Sequence, residues 1–297
     1  MRLSLPHLLL LFILAALASA CGDDAEPMDA SADMALSDAG VGDASSHDDV
    51  GGDASRADSG APDSGAPDSG ASDAAAADAS EECIREGTPH VYLVGDSTTA
   101  SGSGWGDSLS LYLGELDVTN AARGGRSSKS FYEEGAFDAV REAMGPGDFV
   151  FVQFGHNDSK PEEYRRTEPG SAPDFAGTFR DFLELYIEEV REAGATPLLL
   201  TPVSRMTFSG DEHRRTHGDY APAVRRVAED NEVVLLDLEA RSHDEFQELG
   251  EEETVRLYAE EPDRTHFPES KAFRIAEMVV ELLSVSSSPL RCFIERD

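Results

Sequence analysis

Five short runs, V-Y-L-V (91–94), D-V-T-N-A (117–121), F-V-F-V-Q-F (149–154), P-L-L-L-T (197–201) and V-V-L-L-D-L (233–238), are apolar almost throughout instead of alternating apolar with polar. A strand with one wet face alternates, whereas a strand covered on both faces does not, so these runs predict buried strands of a parallel sheet. Between them, residues 105–113, 133–144, 175–193, 220–231 and 270–283 repeat apolar positions at helical spacing. In the last of these, Ala272, Ala276, Val279, Val280 and Leu283 make one stripe, with Pro268 near a permissible start, and Gly194 ends the third. Strand alternating with helix predicts an α/β fold: a three-layer α/β/α sandwich around a central, mainly parallel five-stranded sheet, with its site at the carboxyl ends of the strands.

That pattern occupies only residues 83–297. Residues 1–20 combine Arg2, a short apolar run and small residues, the composition of a secretory signal and too short to span a bilayer. Cleavage after Ala20 would expose Cys21, which resembles a bacterial lipoprotein signal. The expectation is an exported protein held on the periplasmic or cell-surface side by a lipid on Cys21, with plain secretion as the alternative. Residues 22–82 are almost only Asp, Ala, Ser, Gly and Pro, with an acid every fifth place from Asp33 to Asp78. Such a segment has too little apolar surface to offset its chain entropy, so it is expected to be an extended, disordered tether. No later stretch is apolar for long enough to cross a membrane.

Charge follows the same division. Seventeen acids against Arg56 give residues 22–82 a charge of −16; of the formal total of −35, Arg2 contributing the one positive charge of the leader, −20 is left for residues 83–297. A domain this acidic offers no general face for nucleic acid, which excludes that class of partner. With Cys21 set aside, Cys83 and Cys292 stand at the two edges of the domain, and an exported chain is expected to join them in a disulfide, free thiols being the alternative.

Candidate chemistry lies where the strands end. The first strand runs into G-D-S-T-T-A, placing Ser97 at a carboxyl edge, where a turn or cap serine is the plainer reading. It lacks the Gly-x-Ser-x-Gly elbow of the other large class of α/β esterases. After the second strand, N-A-A-R-G-G-R-S-S-K-S-F carries Gly124 and Gly125, which let backbone N–H groups approach a ligand. After the third, F-G-H-N-D offers the amide of Asn157. Near the C-terminus, D-R-T-H-F sets Asp263 three residues before His266, a carboxylate placed to fix the tautomer of a base. Hydroxyl, glycine amide, carboxamide, carboxylate and imidazole together are the parts of an acyl-transfer site.

In this order the blocks resemble those of the SGNH (GDSL) hydrolases. The fuller strings G-D-S-T-T-A, G-G-R-S-S-K-S-F, Q-F-G-H-N-D, T-P-V-S-R and D-R-T-H-F are similar to the rhamnogalacturonan acetylesterases of that superfamily, over roughly residues 90–285. The resemblance implies a flavodoxin-like fold and a serine esterase with Ser97 as nucleophile, His266 as base and then acid, and Asp263 as its orienter. Gly125 N–H, the Asn157 side chain and Ser97 N–H would form the oxyanion hole. Arg126 and His156 are the substrate-binding candidates, and Arg123, Lys129 and Arg205 further cations able to receive uronate carboxylates, each equally readable as a surface charge. The string H-G-D-Y also resembles the family, which would have His217 line the site, a surface histidine being the equal alternative. Trp105 is a sugar platform or, more simply, a core residue. Neither metal nor cofactor is implied, since His213, His217 and His243 lack ligand spacing. The expected partner is an acetylated polysaccharide or oligosaccharide, acted on by a monomer. The competing readings are an esterase for xylan, lipid or thioester, and a non-catalytic glycan-binding lipoprotein.

Overall fold

The computed structural model describes residues 88–114 and 116–294, all within the unit Pro67–Asp297. The leader, Cys21, the acidic tether and Cys83 lie outside the described residues. Cys292 is disulfide-bonded.

The five apolar runs form β1 (Val91–Gly95), β2 (Val118–Asn120), β3 (Phe149–Gln153), β4 (Thr196–Leu200) and, after a small antiparallel pair β5 (Phe208–Ser209) and β6 (Glu212–His213), β7 (Val234–Leu236). The large sheet has the order β2-β1-β3-β4-β7 with every pairing parallel. Successive side chains of a strand point to opposite faces. Accordingly Val91, Leu93, Phe149, Phe151, Leu198 and Leu200 belong to one hydrophobic cluster, and Tyr92, Val94, Val150, Val152 and Leu199 to the other. The unbroken apolar runs are therefore two interleaved core faces, and each buried Leu or Phe stabilises by about 1.5–3 kcal/mol.

The first face is covered by the 3-10 helix Gly106–Leu111 and by α5 (Leu238–Tyr258) and α6 (Glu269–Val285), through Leu109, Phe246, Ile275, Val279 and Leu283. The second is covered by α1 (Ser128–Glu133), α2 (Asp138–Ala143), α3 (Thr178–Glu192) and α4 (Tyr220–Asp230), through Phe131, Val140, Leu183, Tyr186 and Val227. On that side Tyr186 meets Phe137 edge-on at 5.0 Å and stacks on Phe154 at 5.5 Å, and its hydroxyl donates to Ser128 O at 2.8 Å. The three layers follow from these two coverings.

The differences from the sequence expectation are local. Within residues 105–113 only Gly106–Leu111 is helical, as a 3-10 helix, and the helix expected over 133–144 is the shorter α2, preceded by a second short helix, α1, that starts at Ser128. Helix α5 is unanticipated: the fifth apolar run ends at Leu236, and Asp237 turns its carboxylate back to accept from Ala240 N, capping a new helix. Its buried positions, Leu238, Glu239, Ser242, Phe246, Thr254 and Tyr258, include three polar residues, and the backbone at Gly250 (φ 75°) breaks it in two. No clean apolar stripe was there to read.

Candidate active site

The nucleophile turn is built by the end of β1. Asp96 O accepts from Thr99 N (3.2 Å) and Ala100 N (3.0 Å), a tight turn that leaves Ser97 at the edge of the sheet, 9 % exposed. Gly104 makes the next approach possible, because a Cβ there would stand 2.2 Å from the carbonyl of Thr98. Beneath the turn runs a buried polar chain in which each donor has its acceptor. Trp105 Nε1–H donates to Gln153 Oε1, Gln153 Nε2–H to Thr98 Oγ1, and Thr98 Oγ1–H to Asp96 Oδ1, each at 2.8 Å. Leaving one such group unpaired costs about 1–3 kcal/mol, so the chain fixes the residue next to Ser97. Trp105 is wholly buried, so the sugar-platform reading is corrected: the indole is a core residue and a hydrogen-bond donor.

Onto this turn the loop between α5 and α6 brings its imidazole. His266 Nε2 lies 2.8 Å from Ser97 Oγ, across 169 residues of chain, and His266 Nδ1 lies 2.8 Å from Asp263 Oδ2. Asp263 Oδ1 accepts from Thr265 N (2.7 Å) and His266 N (3.0 Å). Partial burial pushes the Asp263 carboxyl up, but the backbone and ring donors outweigh it and hold it below the usual range, so the group stays anionic. With a carboxylate at Nδ1, the neutral ring carries its proton there and turns a lone pair to Ser97. Ser103, which the sequence reading passed over, ties the two loops together: its hydroxyl donates to Ser97 O at 2.8 Å and its carbonyl accepts from Phe267 N at 3.0 Å.

The other flank of Ser97 is the turn after β2. Arg123 N donates to Gly95 O at 3.0 Å, and a Cβ on Gly124 would come 3.8 Å from that of Ser97. Gly125 sits at φ 74°, a conformation that favours glycine. Among the described residues, neither Gly125 N–H nor Ser97 N–H engages an acceptor. One N–H of the Asn157 amide donates to Arg126 O at 3.0 Å, which pins this turn to the end of β3 and leaves the second N–H. Asp158 strengthens the same junction. Its Oδ1 accepts from Ser128 Oγ (2.6 Å), Ser128 N (3.1 Å) and Thr167 Oγ1 (3.0 Å), and its Oδ2 is buried without a partner. Burial pushes this carboxyl up to about 7 against those donors.

The substrate-contact candidates divide. His156 is corrected, since its ring is buried, 2 % exposed, and faces His217 Nε2 at 3.4 Å. Burial, helped by nearby Arg205, holds His217 down to about 3 and His156 well below its ordinary value, so both rings are neutral. Arg205 is likewise spent on structure: it donates to His156 O at 3.1 Å, and burial lowers its pKa. Lys129 donates to Glu163 O at 2.9 Å. Arg126 is half exposed but pairs with Glu134 at 3.0 Å, whereas Arg123 is exposed. His213 and His243 bond each other through Nδ1 at 2.7 Å, and His213 Nε2 bonds Arg205 O.

The GDSL-like lipase/acylhydrolase family model matches residues 93–267, spanning every element just described. The chain is 38 % identical over 214 residues to the probable rhamnogalacturonan acetylesterase YesY of Bacillus subtilis, covering 68 % of this chain and 95 % of that one. It is 37 % identical to the rhamnogalacturonan acetylesterase RhgT of the same organism, over 68 % of this chain and 92 % of the relative. Among solved structures, the Bacillus subtilis protein YxiM superposes with a TM-score of 0.57 at 28 % identity, over 67 % of this chain and 56 % of that one. The chain thus belongs to the GDSL-like lipase/acylhydrolase family and is a carboxylic ester hydrolase.

Proposed function

We propose that the protein is a serine acetylesterase that removes acetyl groups from galacturonate in rhamnogalacturonan. The observation that carries the chemistry is the relay of Asp263, His266 and Ser97, with 2.8 Å at each link. The substrate is supported by the names of the two relatives at 37–38 % identity.

In this reading His266 Nε2 takes the hydroxyl proton as Ser97 Oγ attacks the acetyl carbon, and the resulting imidazolium is held by the Asp263 carboxylate. The carbonyl oxygen becomes an oxyanion facing the N–H groups of Gly125, Ser97 and Asn157. His266 then returns the proton to the departing sugar oxygen, and the acetyl group remains on Ser97. Water, deprotonated by the same nitrogen, releases acetate and restores the hydroxyl. The chain is further read as a monomer, exported and held at the membrane by a lipid on Cys21.

The test is acetate release from acetylated rhamnogalacturonan, acetylated xylan and an aryl acetate, with Ser97→Ala alongside. Removing the nucleophile is expected to lower turnover by roughly 10⁴-fold or more with the circular dichroism unchanged. A folded, active Ser97→Ala protein rejects the mechanism, and release from xylan alone rejects the substrate.

A further inference from the structure

A cavity of about 460 Å³ opens beside the catalytic imidazole, lined among others by Ser103, Glu260, Asp263, His266 and Glu269. This is within the range of sites for small ligands, about 300–1,000 Å³. Its lining contains three carboxylates and no Lys or Arg. Asp263 is engaged by His266, but Glu260 and Glu269 are exposed and join no ion pair among the described residues. Of the nearby cations, Arg264 pairs with Glu261 at 2.9 Å, while Lys271 donates to Ala259 O and leaves one positive charge against the two glutamates. Glu269 also opens α6, where an acid suits the helix dipole; Glu260 has no such explanation.

Across Ser97 the charge is of opposite sign. The Arg123–Arg126 turn is hung from Gly95 O and brings Gly124 against the nucleophile, and within it Arg123 is exposed without an ion pair among the described residues. The site therefore carries two carboxylates without an ion pair in the cavity that His266 lines, and an exposed guanidinium without one on the turn that packs against Ser97. The leaving sugar oxygen must reach His266 Nε2, so the bound glycan passes beside the cavity that His266 lines. Charges near a protein surface act over roughly the Debye length, about 8–10 Å, comparable with a sugar unit.

We propose that this polarity sets the direction and composition of the bound chain. Arg123 receives a uronate carboxylate, and Glu260 and Glu269 bar carboxylates from the cavity, which takes an uncharged sugar. The proposal rests on the reading of the substrate as an acetylated polyuronate, and it names the side chains that choose among such glycans. It also reconciles a polyanionic substrate with a domain of strong negative charge, because the repulsion is confined to the flank where the neutral sugar belongs.

The experiment compares kcat/KM on an acetylated rhamnogalacturonan oligosaccharide with that on a neutral acetylated xylooligosaccharide. It is run at low ionic strength and again at about 1 M salt, where the Debye length falls to about 3 Å. Arg123→Gln is expected to lower the anionic-to-neutral ratio about three- to tenfold, and the double variant Glu260→Gln/Glu269→Gln to raise it by a similar factor, both effects collapsing in salt. Glu188→Gln/Glu192→Gln on α3 removes the same charge far from the turn and is expected to leave the ratio in place; activity on the neutral oligosaccharide reports folding throughout. If the wild type deacetylates the anionic oligosaccharide but the two variants shift the ratio in the same direction, or by no more than the α3 control, the charge sorting is overturned alone. If the wild type releases no acetate from it, the substrate reading falls and the sorting with it.

Discussion

His266 has both ring nitrogens committed, Nδ1 to Asp263 and Nε2 to Ser97, and the two bonds differ in what their loss does. His266→Ala removes the ring placed 2.8 Å from the Ser97 hydroxyl, which takes the proton in the proposed mechanism. Asp263→Asn leaves the ring in place but presents an amide that can favour the wrong tautomer. Turnover in Asp263→Asn is expected to fall by up to about 10⁴-fold with substrate affinity little changed, and His266→Ala to be at least as damaging. Steady-state kinetics of both on one acetyl ester settles the ranking, and a fully active His266→Ala protein sinks the acyl-transfer reading. In the proposed mechanism Asn157 acts at the transition state, so Asn157→Ala is expected to cost about 10²–10³ in turnover. An unchanged turnover removes the amide from the oxyanion hole. Because the amide also bonds Arg126 O, hydrogen exchange at residues 124–126 separates lost charge stabilisation from a loosened turn.

At the scale of elements, the site is where the carboxyl ends of β1, β2 and β3 meet one loop from between α5 and α6. Asp158 joins two of these segments, the turn after β2 through Ser128 and its own loop after β3 through Thr167, and its carboxyl carries a pH signature. Its folded pKa, raised by burial to about 7, lies above the unfolded value of about 3.9, so between the two the folded state holds a proton that the unfolded state has lost. The stabilising contribution is therefore complete below about 4 and is lost as pH rises through about 7. Asp96, whose charge pushes in the same direction, is also buried and raised. Asp158→Asn supplies one neutral oxygen to the same three donors at every pH. The wild-type melting temperature is expected to decline more between pH 5 and pH 8 than that of Asp158→Asn. Parallel profiles for the two proteins would show that Asp158 does not titrate in this window.

At the scale of the whole molecule, the described part carries its own two-faced core and its complete relay, and nothing in that relay draws on residues before the first strand. Limited proteolysis upstream of Cys83 is accordingly expected to release the acidic segment and leave esterase activity intact. Loss of activity on that cut would make the segment more than a spacer. Among the described residues no helix is long and apolar enough to cross a membrane. The proposed export and attachment through Cys21 are tested by mass and phase partitioning of the protein.

The sequence by itself determined what depends on short-range pattern. Strands buried on both faces announce themselves as continuous apolar runs, and Ser97, Gly125, Asn157 and the Asp263–His266 pair stand in short strings whose order survives in one dimension. It could not determine what depends on who meets whom. Helix α5 hid because half of its buried positions are polar and become tolerable only once Ser242 accepts from Ser204 N and the Glu239 carboxylate pairs with Arg215 and with Arg225 of α4. His156 and Arg205 read as substrate contacts because polar and charged side chains usually sit at the surface, and only the fold showed the His217 ring against His156 and the His156 carbonyl that accepts from Arg205. Ser103 and Asp158 gave no signal of their own, since a hydroxyl or a carboxylate becomes a positioning group only through the loops it joins. The relay itself spans 169 residues, and its 2.8 Å contacts exist because a parallel sheet brings the ends of separate strands to one edge.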